Sequence, residues 1–150
     1  MSEFPDVDSC SECKTPFTSR NRVDVKEFKH LCYPCYKKKP KHVCVDFDGV
    51  LAEYTGWQGP EHLGEPRAGA RAFLESIIDL GMRVIILTTR DPNAVHAWLL
   101  DYQLHDLVDR VTREKPPALA YIDDRAICFE GDFGAVLWKL VRFTPYWRNG

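Results

Sequence analysis

Residues 41–52 read KHVCVDFDGVLA. The apolar run Val43-Cys44-Val45 ends in two aspartates one residue apart, Asp46 and Asp48, followed by Gly49 and the apolar pair Val50-Leu51. A short continuous apolar run reads as a parallel strand buried on both faces. In open α/β sheets the ligand crevice lies at the carboxyl ends of such strands. Two carboxylates placed there repel each other and are costly to strip of water, so they point to a bound cation or to proton chemistry. Gly49 allows a sharp turn and a close approach of backbone to ligand. The plain alternative is a strand ending in an Asp-rich turn, and the downstream sequence weighs against it.

Beyond the aspartates, residues 53–67 are irregular and rich in Gly, Pro and polar side chains, among them Tyr54, Trp57, Gln58, Glu61 and His62. A helix is expected from Gly69, with Ala72, Phe73, Ile77, Ile78 and Leu80 on its apolar face and Gly81 as its stop. Arg83 to Arg90 reads as a second buried strand ending in Thr88-Thr89-Arg90. Asp91-Pro92-Asn93 opens a second helix, because proline is tolerated in a first turn, with Ala94, Val95, Trp98 and Leu99 inward. Short strands are expected at Leu107–Val111, at Leu119–Ile122 (which runs into Asp123-Asp124-Arg125) and at Ala126–Phe129. A closing helix is expected at 132–142, with Phe133, Val136, Leu137 and Leu140 apolar. Alternating strands and helices imply a Rossmann-like, mostly parallel α/β sheet with helices on both faces.

The N-terminal region differs in kind. Cys10-Ser-Glu-Cys13 and Cys32-Tyr-Pro-Cys35 are separated by eighteen residues, a C-x2-C-x18-C-x2-C spacing that reads as a zinc site. Each pair can set two thiolates about 2.3 Å from one tetrahedral Zn2+. Four cysteines complete the shell, which leaves His30 as a surface residue. A segment this short cannot build a sufficient core alone, so metal would supply much of its folding energy. The expected division is a zinc-binding module at 1–42 and an α/β domain at 43–150. Lys37-Lys38-Lys39 and Lys41 supply most of the basic excess of the module, nine Lys/Arg against six Asp/Glu. That run reads first as a solvated linker and second as a phosphate contact for nucleic acid.

The whole chain, with a formal net charge of −2, carries no general nucleic-acid or membrane signal. No apolar run approaches the ~20 residues of a membrane span, and the N-terminus lacks the basic and apolar parts of a secretory signal. The expected compartment is the cytoplasm, where paired cysteines more often hold metal than form disulfides. Cys44 and Cys128 lie in apolar strand contexts and read as core residues.

Asp46 and Asp48, Thr88, Lys115 and the pair Asp123/Asp124 follow one another in order, with the acids and the threonine at strand ends. Over residues 43–140 this arrangement resembles the haloacid dehalogenase superfamily of phosphohydrolases, and the N-terminal module resembles a zinc ribbon or zinc knuckle. The first resemblance implies a Mg2+-dependent phosphomonoester hydrolase. Asp46 would attack phosphorus to form an aspartyl-phosphate, and Asp48 would protonate the leaving oxygen and then activate water. Asp46, the Asp48 carbonyl and Asp123/Asp124 would hold Mg2+, with Asp124 favoured as the direct ligand. Thr88, or Thr89 in its place, would hold a phosphate oxygen, and Lys115, or Arg113 in its place, would neutralise charge at phosphorus. The second acid, Asp48, excludes halide displacement. Neither interval between motifs is long enough for a cap domain. The Ile122–Arg125 sequence and the capless layout are similar to the phosphatase domain of polynucleotide kinase-phosphatases, which favours nucleic-acid ends or nucleotides as substrate. A small sugar phosphate and a non-catalytic zinc-module adaptor are the alternatives.

Overall fold

The computed structural model describes residues 9–17, 31, 39 and 41–148. Its contacts divide the chain into two units, Met1–Pro40 and Lys41–Gly150. In the second unit β1 (His42–Asp46), β2 (Arg83–Leu87), β3 (Arg110–Thr112) and β4 (Ala120–Ile122) form one sheet in the order β3-β2-β1-β4. Every pairing is parallel. Helices α1 (Ala70–Asp79), α2 (Pro92–Asp101) and α3 (Phe133–Val141) complete the unit, with single 3-10 turns at His105–Leu107 and Tyr146–Arg148. An α/β fold around a parallel sheet is therefore what the chain adopts. No helix among the described residues is long and apolar enough to cross a membrane.

Alternation along the strands decides where the core sits. Val43 and Val45 of β1 and Val84 and Ile86 of β2 point to one face. There they meet Ala70, Leu74 and Ile77 of α1 and Val95, Trp98 and Leu99 of α2. The α1 stripe therefore runs i, i+4, i+7 from Ala70, and Phe73, Ile78 and Leu80 are exposed rather than inward. The expected face mixed residues from opposite sides of the helix: Ala72 and Ile77, five apart, stand some 140° from each other. In α2 the reading of Val95, Trp98 and Leu99 as inward agrees with the structure. Asp91 caps that helix, accepting from the Asn93 amide at 3.0 Å, with Pro92 in the first turn.

Three further expectations are corrected. Ala126–Phe129 forms no strand. Its residues have β propensity, but propensity becomes a strand only with a ladder partner, and β4 is paired to β1 alone. Cys128, read as a core residue, is exposed, whereas Cys44 is buried as expected. The third strand starts later than Leu107, at Arg110. Helix α3 forms where expected, capped by Asp132, yet buries none of its residues. Phe133 and Val141 are 79% and 78% exposed. Helices on both faces are thus met on one face, by α1 and α2, among the described residues.

In the first unit, Cys10 and Cys13 lie in a tight turn. The Lys14 amide donates to the Cys10 carbonyl and the Cys10 amide to the Thr15 carbonyl, both at 2.9 Å. Lys14 takes a positive φ of 60°, and Ser9 pairs antiparallel with Pro16. Cys32 and Cys35, the other two predicted zinc ligands, lie outside the described residues, as do His30, Lys37 and Lys38. Lys39 is ion-paired to Glu12.

Phe47, between the two aspartates, is fully buried and meets the Trp98 ring edge-on at 4.8 Å. It anchors the turn that carries Asp46 and Asp48. Phe47→Ala is expected to cost about 3–5 kcal/mol, read as a lower denaturant midpoint at an unchanged slope.

Candidate functional site

Parallel register sets the site. Asp46 ends β1 opposite Leu87 of β2, and Leu87 stands opposite Thr112 of β3. On the other side Val45 pairs with Ile122, the last residue of β4. Thr88, Arg113 and Asp123 therefore leave the sheet at the same edge as Asp46. Chain order reverses there: β1, β2 and β3 run outward in one direction, and β4 lies on the other side of β1. Such a switch point opens a crevice outside the carboxyl ends of the strands. A cleft of ≈ 590 Å³ lies there, and Asp46, Asp48, Thr88, Lys115 and Asp123 all line it.

Asp124, the last of the predicted set, does not line this cleft but a neighbouring one that shares Asp123 with it. Its side chain is 2% exposed, and Oδ1 is buried with no hydrogen-bond partner. One carboxylate oxygen from each of Asp46, Asp123 and Asp124 falls within 4.8 Å of the other two. Asp123 is the more open member of the pair, and its Oδ1 accepts from the Arg125 amide at 2.7 Å. The Asp46 carboxyl is pushed up to about 7. Burial is the main cause, opposed by a hydrogen bond from the Phe47 amide, and the charges of Asp123 and Asp124 and a hydrogen bond with Asp124 raise it further. Gly49 makes this crowding feasible. Its φ is 82°, and a Cβ there would stand 2.7 Å from Asp124 Oδ2. Three clustered carboxylates with an orphaned buried oxygen fit a divalent cation with oxygen ligands, such as Mg2+.

Asp48 is held differently. Arg90 is buried and grips it with both arms of the guanidinium, Nε to Oδ2 at 2.8 Å and one terminal nitrogen to Oδ1 at 3.0 Å. The other terminal nitrogen donates to the Gly59 and Pro60 carbonyls at 2.9 and 3.3 Å. The Trp57 ring, 63% exposed, lies 4.5 Å from the guanidinium carbon. Arg90 is thus paired with an acid. Thr88 is buried and its hydroxyl oxygen accepts from the Arg90 amide at 3.1 Å, so it caps the turn as well as lining the cleft. Thr89 and Arg113, the alternatives to Thr88 and Lys115, line the same cleft. Lys115 stands 4.3 Å over the Tyr121 ring.

Two irregular segments border the acids. Residues 53–65 form a loop whose ends are zipped together by Glu53 N–H to the Glu65 carbonyl and Arg67 N–H to the Leu51 carbonyl, both at 2.8 Å. Trp98 pins it by donating to the Gly64 carbonyl at 2.7 Å. His62 lines a separate ≈ 330 Å³ cavity within this loop, and His96 and His105 are exposed. The second segment is the tail. Its aromatic residues pack against the body, and there Trp147 donates to Asp124 Oδ2 and the Tyr146 hydroxyl to the Gly49 carbonyl. Sequence reasoning missed these contacts, since nothing local in an aromatic tail names the residue it reaches.

No protein-family model and no curated protein matches the chain. Among solved structures it is similar to a conserved protein of Bacteroides thetaiotaomicron, at 21% identity and a TM-score of 0.47, over 69% of this chain and 91% of that one. It is also similar to an uncharacterized protein from Listeria monocytogenes serotype 4b, at 19% identity and a TM-score of 0.40, over 68% of this chain and 60% of that one.

The raised Asp46 carboxyl has a consequence for stability. The native state keeps a proton that the unfolded chain releases near 3.8, so without divalent cation the contribution of this group to stability is fully present below about pH 4 and is lost as pH rises through 7. Asp46→Asn removes that loss. At pH 8, in chelator, the variant is expected to be more stable than the parent by a few kcal/mol. The difference should vanish below pH 4, measured by urea denaturation across the range.

Proposed function

We propose that this protein is a Mg2+-dependent phosphomonoester hydrolase of the haloacid dehalogenase type, working through an aspartyl-phosphate on Asp46. The observation that carries the reading is the gathering of Asp46, Asp48, Thr88, Lys115 and Asp123 around one cleft at the switch point, with Asp124 clustered against Asp46 and Asp123. These residues are scattered over 79 positions of sequence, and chance does not bring a nucleophile, an acid, a hydroxyl, an ammonium and an acidic pair to one sheet edge.

In this reading an Asp46 oxygen attacks phosphorus as the ester P–O bond breaks, and the departing oxygen takes a proton from Asp48. Water then attacks phosphorus, gives its proton to Asp48, and displaces Asp46 with release of inorganic phosphate. Arg90 orients Asp48 throughout. A carboxylate offers about four lone-pair sites, and Arg90 engages one on each oxygen, which leaves room for the transferred proton. The Thr88 hydroxyl donates to a phosphate oxygen while its own oxygen caps the turn. Lys115 offsets charge on the phosphoryl group and on Asp46. Asp46, Asp124, Asp123 and the Asp48 carbonyl are the groups that would hold Mg2+, which supplies positive charge against the phosphoryl oxygens.

The substrate favoured is a nucleotide or nucleic-acid end. Arg113, Lys115 and Arg125 surround the cleft together with the aromatic faces of Tyr54 and Trp57, a combination suited to phosphate and stacked base. In the N-terminal unit, Zn2+ bound by Cys10, Cys13, Cys32 and Cys35 is the companion proposal, supported by the spacing and by the tight Cys10–Cys13 turn.

The test is phosphate release with Mg2+ from an aryl phosphate, a sugar phosphate, and 3′- and 5′-phosphorylated oligonucleotides. Asp46→Asn is expected to lose about 10³-fold or more on every active substrate. Asp48→Asn is expected to lose about 10²–10⁴-fold on alkyl esters and much less on the aryl ester, whose leaving group needs no proton. A folded protein inactive on all of these and on a wider set of phosphate esters would sink the reading in favour of an adaptor.

A further inference from the structure

The Asp124 carboxylate is nearly sealed from solvent, and its two oxygens are treated unequally. Oδ2 accepts the indole N–H of Trp147, whereas Oδ1 has no partner. A buried carboxylate oxygen left unsatisfied is costly. The indole therefore fixes which oxygen is spent on protein and which is left without a protein partner, in a carboxylate that clusters with those of Asp46 and Asp123.

The same short segment does more than donate one hydrogen bond. The Tyr146 hydroxyl donates to the carbonyl of Gly49, on the turn after β1. Trp147 reaches Asp124, on the turn after β4. The 3-10 turn Tyr146–Arg148 thus ties together the two acid-bearing turns that flank the switch point. Its rings are themselves held: Trp147 meets Tyr54 edge-on at 4.9 Å and 90°, and the Arg125 guanidinium lies 5.1 Å from Trp147 and 5.5 Å from Tyr54. Arg67 stands 4.8 Å over Tyr146. Fit is close, since a Cβ on Gly49 would stand 3.3 Å from Trp147 Cδ1 as well as against Asp124.

We infer that Trp147 is a positioning residue for a metal-ligating Asp124, its N–H holding the carboxylate so that Oδ1 is presented to the cation. The inference rests on the Mg2+ site proposed above. Outer donors of this kind orient a ligand and set its affinity for metal, and their loss typically costs about 10–100-fold.

The experiment uses the full chain and Mn2+ as a spectroscopic substitute for Mg2+. Free Mn2+ is counted by electron paramagnetic resonance, beside Mg2+ titrations of phosphate release. Trp147→Phe keeps a ring against Tyr54 and removes the donor. It is expected to bind Mn2+ about 10-fold more weakly, and to need about 10-fold more Mg2+ for half-activation, with kcat at saturating Mg2+ within about 3-fold of the parent. Trp147→His, which restores a ring N–H, is expected to regain most of that affinity. It carries the test if the phenylalanine variant does not fold. Unchanged Mn2+ affinity in folded Trp147→Phe, or a loss in Trp147→His as large as in Trp147→Phe, overturns the positioning role and leaves the metal site intact. A parent protein that binds no Mn2+ at millimolar concentration, with Asp124→Asn indistinguishable from it, overturns the metal site and this inference together.

Discussion

Three carboxylates with oxygens within 4.8 Å of one another are an unfavourable arrangement that the fold nevertheless builds. The sheet register leaves little choice. Because β1 and β4 are parallel neighbours with Val45 opposite Ile122, an acid ending β1 and an acid following β4 must emerge side by side, about 4.8 Å apart across the ladder. The Asp46 carboxyl is raised first by burial and then by those neighbouring charges, and a proton or a cation can relieve both. Proton binding suits a resting state. An aspartate that is to attack phosphorus must be ionised, and a cation favours that form.

Charge at the site is divided into a permanent part and a replaceable part. Asp48 has its counter-ion built in: the buried guanidinium of Arg90 is fixed to it by two bonds and to the 53–65 loop by two more. Removing either partner would strand the other, the costly case for a buried pair. Asp124 meets Arg125 only at 3.9 Å, and that arginine is itself half exposed. The protein thus satisfies fully the acid whose orientation it fixes and pairs the clustered acids far less tightly, which under the proposed function leaves room for a dissociable cation.

How much of this could be read from sequence varies with the reach of each signal. The strand at 42–46 was legible because a buried parallel strand is a continuous apolar run. The site edge was legible because strand ends carry its residues. Asp91-Pro92-Asn93 announced its helix locally, through a proline suited to a first turn. The face of α1 was misread because apolar residues occur around much of its circumference, and only the sheet selects Ala70, Leu74 and Ile77. Ala126–Phe129 failed as a strand for the converse reason: its propensity is suitable but no neighbour completes its ladder. The link between Trp147 and Asp124 spans 23 residues and that between Tyr146 and Gly49 spans 97, and no periodicity encodes either.

The tail contacts also bear on how water is kept from the acids. Excluding water from a whole site strengthens every charge interaction inside it. The protection is instead local and unequal. Trp147 donates to Asp124 and is itself packed on Tyr54, and Gly49 leaves no room for a side chain against Asp124. Asp46 and Asp123 line the open cleft. Under the proposed Mg2+ site, a cation held by all three would be dry on its Asp124 side and open toward the cleft. That asymmetry suits a ligand held fixed beside a carboxylate that a substrate must reach.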